Sequence, residues 1–539
     1  MYQVQLKVAE FPAQADQAIL KTTIGGILRH RAEQSPGLLA VAEAGCDGDE
    51  TGRLGRALTY SELLTEAEQL AAALLSRYEP GERVAIWAPN ALEWVIFEFA
   101  AALAGLTFVT VNPSSQAREL SYVLLQSKAV GLFTVESYRG NPMWRIATEV
   151  TSDLPQIREL VNLDDRDALF RGGGRTVSLP PVRPDDPAMI IYTSGTTGTP
   201  KGVVLTHGGV TNNSRFLFLR LDPPIGRPVV TAVPLFHVGG SVGALLGSIQ
   251  HGSPFILLRM FNPALILALV EQHKAGTVTG VPTMVFALLE QQEGQPRDVS
   301  SLERVLCGGA MIAPELIRRV QAAFGCGVQN IYGQTEVSGV LTQTHLLDEV
   351  EDIAETVGQP LPMTEVSVRD LATGASLAAG EVGEICARGY CVMHGYNDNP
   401  DATAAAIDKD GWLHTGDLGT MDSRGYVRIT GRVKEMIIRG GENIYPAEIE
   451  NVLLEHPTVA EVAVVGIPDD RWGEIVGCFV RTTSGAMLNE MELVQHCRAR
   501  ISPQKTPSRW IAVESWPLTG SGKIQKFTLR DMLLEGKFD

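Results

Sequence analysis

The chain has 539 residues, 45% of them hydrophobic and 20% charged. That composition excludes a disulfide mini-protein, a fibrous repeat and a disordered tail. Its formal net charge of -17 excludes a nucleic-acid partner held by bulk electrostatics, so a polyanionic ligand would need local positive contacts.

The opening MYQVQLKVAEFPAQADQ lacks a basic start and an apolar run, so no secretory or transit segment is expected. Cys46, Cys307, Cys326, Cys386, Cys391, Cys478 and Cys497 contain no CxxC pair and read as reduced thiols of a cytosolic protein. Residues 56–77 predict a turn and then an amphipathic helix capped by Ser61. Arg83, Val84, Ala85, Ile86 and Trp87 predict a short apolar strand. Residues 94–111 are nearly continuously apolar, but Glu98, Gly105 and a β-branched second half favour a buried helix running into a buried strand over a membrane span. Helix and strand patterns alternate to about residue 330, which predicts α/β layers. Glycines at 172–174 and prolines at 180, 181 and 184 mark a loop before a strand at 188–192. Residues 360–431 change to short strands with Gly and Asp turns, a small β-rich subdomain. A compact segment with βα texture follows, and the main boundary is expected at 432–434.

Tyr192 to Gly202 (YTSGTTGTPKG) follows a buried strand with hydroxyls, glycines and one lysine. Small residues let backbone N–H groups approach an anion, hydroxyls donate, and lysine supplies charge. The glycine spacing is not that of a Walker A loop. Further motifs are Pro234-Leu235-Phe236-His237, Gly308-Gly309-Ala310, Tyr332-Gly333-Gln334-Thr335-Glu336, Gly383-Glu384 and Thr415-Gly416-Asp417. Gly431-Arg432-Val433-Lys434, Arg439-Gly440-Gly441-Glu442-Asn443-Ile444-Tyr445-Pro446 and Gly520-Ser521-Gly522-Lys523-Ile524 complete the series.

In this order, from about residue 25 to the end, the set resembles the ANL superfamily of adenylate-forming enzymes. The resemblance implies an α/β fold with a large multi-subdomain N-terminal region at 1–431. It implies a hinge at 432–434 and a small mobile α+β domain at 435–539. It also implies ATP, Mg2+ and CoA as ligands and a small carboxylic acid as substrate. Thr193, Ser194, Gly195, Thr196, Thr197, Gly198 and Lys201 would then form the phosphate loop. Gly308, Gly309, Ala310, Tyr332 and Gly333 would hold adenine, with Tyr332 as an aromatic plate. Thr335 would donate to the α-phosphate and Glu336 would hold Mg2+, a hard cation that prefers oxygen. Asp417 and Arg432 would bind the ribose hydroxyls. Lys523 would bridge carboxylate and α-phosphate during adenylation, as a flexible point charge can. Rotation about Lys434 would then bring in Gly440 and Gly441 beside the pantetheine tunnel. His237 would line the acyl pocket, or else be a satisfied core histidine.

Gly239-Gly240-Ser241-Val242-Gly243 matches the GxSxG pattern of hydrolase nucleophiles, but it reads as a close-packed helix start lining the acyl pocket. Cys307 borders that site and nothing marks it as a nucleophile. Val238 stands where amino-acid-activating relatives place an Asp, which favours an uncharged acyl chain. The last segment looks most like medium-chain fatty acyl-CoA ligases. A cytoplasmic, lipid-metabolic ligase is therefore expected. A long-chain, aryl or sterol-derived acid, a carrier protein as acceptor, and a homodimer stay open.

Overall fold

The apolar stretch at 94–111 shows how local pattern becomes architecture. It forms the helix Leu92–Leu103, buried apart from half-buried Glu93, and then the fully buried strand Thr107–Val111. The computed structural model describes all residues except 46–49, 174–177, 194–199, 311, 440–441, 470, 484–485, 519–523 and 539, and it leaves out the side chains of 442 and 443. No described helix is long and apolar enough to cross a membrane.

The helix expected within 56–77 runs Tyr60–Leu75, and its cap is Thr59 rather than Ser61. The Thr59 hydroxyl accepts the Glu62 N–H at 3.3 Å, and the Glu62 carboxylate accepts the Thr59 N–H at 2.8 Å. This reciprocal Thr-x-x-Glu box satisfies two backbone donors, which Ser61, already in the first turn, cannot do.

Strands and helices build two large sheets. The first runs in the order Gly395–Tyr396, Lys201–Thr206, Pro187–Thr193, Thr107–Val111, Arg83–Trp87, Gly131–Thr134, Glu159–Asn162. Its last five strands are parallel, and Lys201–Thr206 returns antiparallel to Pro187–Thr193. The second has nine strands. Its parallel centre runs Gly327–Tyr332, Arg304–Gly308, Thr277–Gly280, Val229–Thr231, Phe255–Leu257, Leu39–Ala44. Parallel strands need cover on both faces, and Val230, Val278, Val305 and Val328 pack with helix residues Leu265, Ile266 and Leu288 in one buried cluster.

The chain divides into two compact units. One comprises Met1–Ser367, Cys386–Thr415 and Asp422–Val427; the other comprises Val368–Ile385, Gly416–Met421 and Arg428–Asp539. The β-rich texture expected at 360–431 is present as the strands Thr364–Arg369, Gly383–Gly389, Leu413–Met421 and Val427–Arg432. In the first unit the short strand Glu10–Phe11 pairs with Thr364–Arg369, Glu10 opposite Ser367 and Phe11 opposite Val366. In the second unit, Ile437–Arg439, Glu442–Ile444, Val459–Asp469, Gly473–Thr482 and Arg509–Ala512 form a sheet. Its core includes Ile437, Ile449, Leu453, Val464, Val476 and Cys478.

Candidate active site

The hydroxyl-rich loop leaves the first sheet at Thr193 and re-enters it at Lys201, and these two residues are direct partners in the antiparallel ladder. Both ends are thus held by the sheet. Ser194, Gly195, Thr196, Thr197 and Gly198 lie outside the described residues. The Lys201 ammonium lies over the Tyr396 ring, 4.6 Å from its centroid, where the negative π face attracts a cation. The Tyr396 hydroxyl donates to Glu336 Oε1 at 3.0 Å. Glu336 stands in the tight turn Thr335–Val337 that follows the strand Gly327–Tyr332, and the Met393 N–H donates to its carbonyl at 2.9 Å. Lys201, expected at the phosphates, and Glu336, expected at Mg2+, therefore meet on one tyrosine that sequence reasoning missed. The only signal that could have found Tyr396 is its pairing with Val203, which no local pattern announces.

The expected adenine contacts lie at the carboxyl ends of parallel strands, where open α/β sheets place ligands. Gly308 ends one strand opposite Ile331, and Tyr332 ends the next. A Cβ on Gly308 would lie 2.4 Å from Ile331 Cγ1, so glycine is required for the two strand ends to close together. Gly309 has φ +82° and, like Ala310, is exposed. Tyr332 is half-buried and Thr335 is buried. Gly333 has its own constraint: an added Cβ would sit 1.9 Å from Gly339 O and 2.7 Å from Val340 Cα. Both are backbone atoms and cannot rotate away. Gly333→Ala is therefore expected to cost about 1–3 kcal/mol or more of stability and to weaken ATP binding. Thermal melts with and without ATP check this, and a wild-type melt would refute it.

His237 follows the strand Val229–Thr231 at the same carboxyl edge. Asn90 Oδ1 accepts the Leu235 N–H at 2.8 Å, and the Thr110 hydroxyl donates to Phe236 O at 2.9 Å. The His237 ring is exposed, and its Nδ1 accepts the Gly239 N–H at 3.1 Å. It is not a core histidine; with Nδ1 accepting, the neutral ring carries its proton on Nε2.

Gly239–Leu246 is a π-helix, a geometry found mainly as short insertions near functional sites. Ser241 is fully buried in it and donates to Glu98 Oε1 at 2.8 Å, a carboxylate and not a general-base histidine. The hydrolase pattern is therefore a coincidence of sequence. A Cβ on Gly240 would lie 2.2 Å from Pro234 O, so this glycine serves the turn and does not widen a pocket. Burial pushes Glu98 up to about 7, although the Ser241 hydroxyl favours its charged form. The Trp94 indole acts in the same direction without a hydrogen bond in good geometry. Burial pushes the Cys307 thiol up to about 12, so it is no nucleophile.

In the second unit, Arg432 Nε donates to Asp417 Oδ1 at 3.1 Å, which sets donor and acceptor for a diol side by side. The Gly416 N–H donates to Glu384 Oε1 at 3.0 Å, so the Gly383-Glu384 motif braces the Asp417 turn. Lys434 is exposed in the turn Val433–Glu435. Gly440, Gly441 and Lys523 lie outside the described residues.

Residues 28–397 match the family described as AMP-binding enzyme, and 448–523 match the AMP-binding enzyme C-terminal domain. The medium-chain acyl-CoA ligase ACSF2, mitochondrial, of Rattus norvegicus is 36% identical over 88% of this chain and 83% of its own. A methyl-dioxo-octahydroindenyl-propanoyl:CoA ligase of Rhodococcus jostii (strain RHA1) is 32% identical over 95% of this chain and 98% of its own. The solved structure of O-succinylbenzoate Coenzyme A Synthetase (MenE) from Bacillus subtilis, in complex with ATP and magnesium ion, superposes with a TM-score of 0.82. It is 28% identical and covers 95% of this chain and 100% of its own.

Proposed function

The chain belongs to the AMP-binding enzyme family and is an AMP-forming acid–CoA ligase, and from that premise we propose that it activates a medium-chain fatty acid. The acid's carboxylate oxygen attacks the α-phosphorus of ATP, and the bond to pyrophosphate breaks to leave acyl-AMP. The CoA sulfur, its proton lost, then attacks the acyl carbon, and AMP departs with the electrons of the broken bond. The 36% identity to a medium-chain acyl-CoA ligase carries the chain-length reading, and the meeting of Lys201 and Glu336 at Tyr396 supports the nucleotide chemistry. Lys201 and the loop 193–198 would hold the phosphates. Gly308, Gly309, Ala310, Tyr332 and Gly333 would take the purine, and Asp417 with Arg432 the ribose. The Glu336 carboxylate is a hard oxygen donor and fits Mg2+, and the buried Thr335 hydroxyl would donate to the α-phosphate. When bound, that ion supplies positive charge against the repulsion of two reacting anions.

Two anions also need a mobile cation at the bond being made, and Lys523 is assigned that role. In our reading the segment 435–539 turns about 432–434 once the adenylate exists, so Lys523 leaves and Lys434, Gly440 and Gly441 approach the thiol path. Such alternation lets one site perform two steps. Buried Val238 beside exposed His237 supports an uncharged acyl chain. A fused-ring or aryl acid is the second reading. The 32% identity to a CoA ligase for a fused-ring propanoate favours that reading.

A panel of acids with ATP and Mg2+, with and without CoA, tests this by mass of product. C6–C12 acyl-CoA formed only when CoA is present is the expected result. Preference for a C16, aryl or fused-ring acid would refute the chain-length assignment. Acyl-AMP persisting despite CoA would point to a carrier protein as acceptor.

A further inference from the structure

Tyr396 is held with more care than a loop tyrosine needs. Its two-residue strand Gly395–Tyr396 pairs antiparallel with Lys201–Thr206, Tyr396 opposite Val203 and Gly395 opposite Val204. Side chains two residues apart on a strand share a face, so Lys201 is the diagonal neighbour of Tyr396, within reach of a large ring. On either side of the pair, the His394 N–H donates to Val204 O at 2.9 Å and the Asn397 N–H donates to Gly202 O at 2.7 Å. The Asn397 and Gln126 amides then lock reciprocally: Asn397 Nδ2 donates to Gln126 O at 2.8 Å and Gln126 Nε2 donates to Asn397 O at 2.5 Å. The Tyr396 N–H is held by the Thr403 hydroxyl at 2.9 Å. Lys201, Tyr396, Tyr122, Gln126, Asn397 and Asn399 line a cavity of about 120 Å3.

A neutral ring stands against Lys201, and its hydroxyl occupies one oxygen of Glu336. We propose that Tyr396 is a positioning residue of the nucleotide site: its ring face holds the Lys201 ammonium toward the phosphates, and its hydroxyl fixes the rotation of the Glu336 carboxylate toward the metal. The inference rests on the assignment of Lys201 to phosphate and Glu336 to Mg2+ given above.

The test separates ring from hydroxyl. ATP affinity is measured by equilibrium dialysis with saturating Mg2+ and with EDTA, in the absence of acid, on wild type, Tyr396→Phe, Tyr396→Leu and Glu336→Gln. Glu336→Gln should abolish most of the Mg2+-dependent tightening. Tyr396→Phe should lose about tenfold or more of it, as losses of groups that orient a metal ligand do, with metal-free affinity unchanged. Tyr396→Leu should lose the same and also about threefold or more of metal-free affinity, because the cation–π contact is gone. If Glu336→Gln keeps the tightening, the metal assignment itself fails. If Glu336→Gln loses it while Tyr396→Phe behaves as wild type, the positioning role alone is overturned. Tyr396→Phe keeps the ring and its packing, so it decides the matter even if Tyr396→Leu does not fold.

Discussion

Lys523→Ala is expected to slow acyl-adenylate formation by two to three orders of magnitude, roughly the cost of removing one donor from developing charge, while leaving thioester formation from supplied acyl-AMP near its wild-type rate. The size follows from the reaction. A carboxylate must approach a triphosphate, and two unit charges 4 Å apart interact by about 4 kcal/mol at an effective dielectric near 20. A cation placed between them offsets repulsion of that order, which corresponds to roughly a thousandfold in rate. The second half-reaction brings a thiol to a mixed anhydride, where no such clash exists. Single-turnover pyrophosphate release measures the first step, and acyl-AMP with CoA measures the second. Equal loss in both would overturn the two-state assignment, and full adenylation by the variant would remove Lys523 from the mechanism. Lys523→Arg should rescue only part, because a planar fork cannot replace a compact point charge.

Glu98→Gln is expected to stabilise the chain in a pH-dependent manner. Burial holds the Glu98 carboxyl at about 7 in the folded chain, against 4.5 for the ordinary group. Below pH 4.5 both folded and unfolded chains keep the proton, and the residue costs nothing by ionisation. Between 4.5 and 7 the unfolded chain releases its proton and the folded chain retains it, so stability falls as pH rises. Above pH 7 the loss is complete, at about 3 kcal/mol for a shift of that size. Glutamine cannot ionise, and its amide can still meet the Ser241 hydroxyl. Urea titrations from pH 5 to 8 should therefore show the variant gaining on wild type as pH rises, with the gap flattening above pH 7. A pH-independent gap would mean that Glu98 does not titrate there.

Residues that act through their own neighbours in the chain are legible in the sequence. The hydroxyls, glycines and lysine of 193–201 suggest an anion site by residue type, while the roles expected of Gly308, Gly309 and Tyr332 to Glu336 come from the ordered set of motifs and its family resemblance. The buried helix and strand at 94–111 follow from apolar length and from Glu98. Other features depend on pairing between distant segments or on bonds that residue type alone does not reveal. Ser61 and Thr59 are both hydroxyl residues able to cap a helix, and only the reciprocal bond with Glu62 distinguishes them. Gly240 reads in the sequence as part of an acyl-pocket lining, yet it is glycine because Pro234 O comes within 2.2 Å of where a Cβ would stand. Tyr396 is invisible to such reading: nothing in Gly395-Tyr396-Asn397-Asp398 says which strand it will join.

The strand Glu10–Phe11 has a consequence for the order in which the protein can be made. Its partner residues, Val366 and Ser367, lie far downstream, Ser367 being 367 − 10 = 357 positions beyond Glu10. At about 5–20 residues per second, a ribosome needs roughly 18–70 s to reach them. Until then Phe11, fully buried in the finished protein, has no ladder to join. Tyr2, whose N–H donates to Gln359 at 2.9 Å and whose ring faces Arg220 at 5.4 Å, waits equally long for Gln359. A strand made early is thus placed only after its distant partner emerges, and for roughly 18–70 s Phe11 stays open to a chaperone or a neighbouring chain.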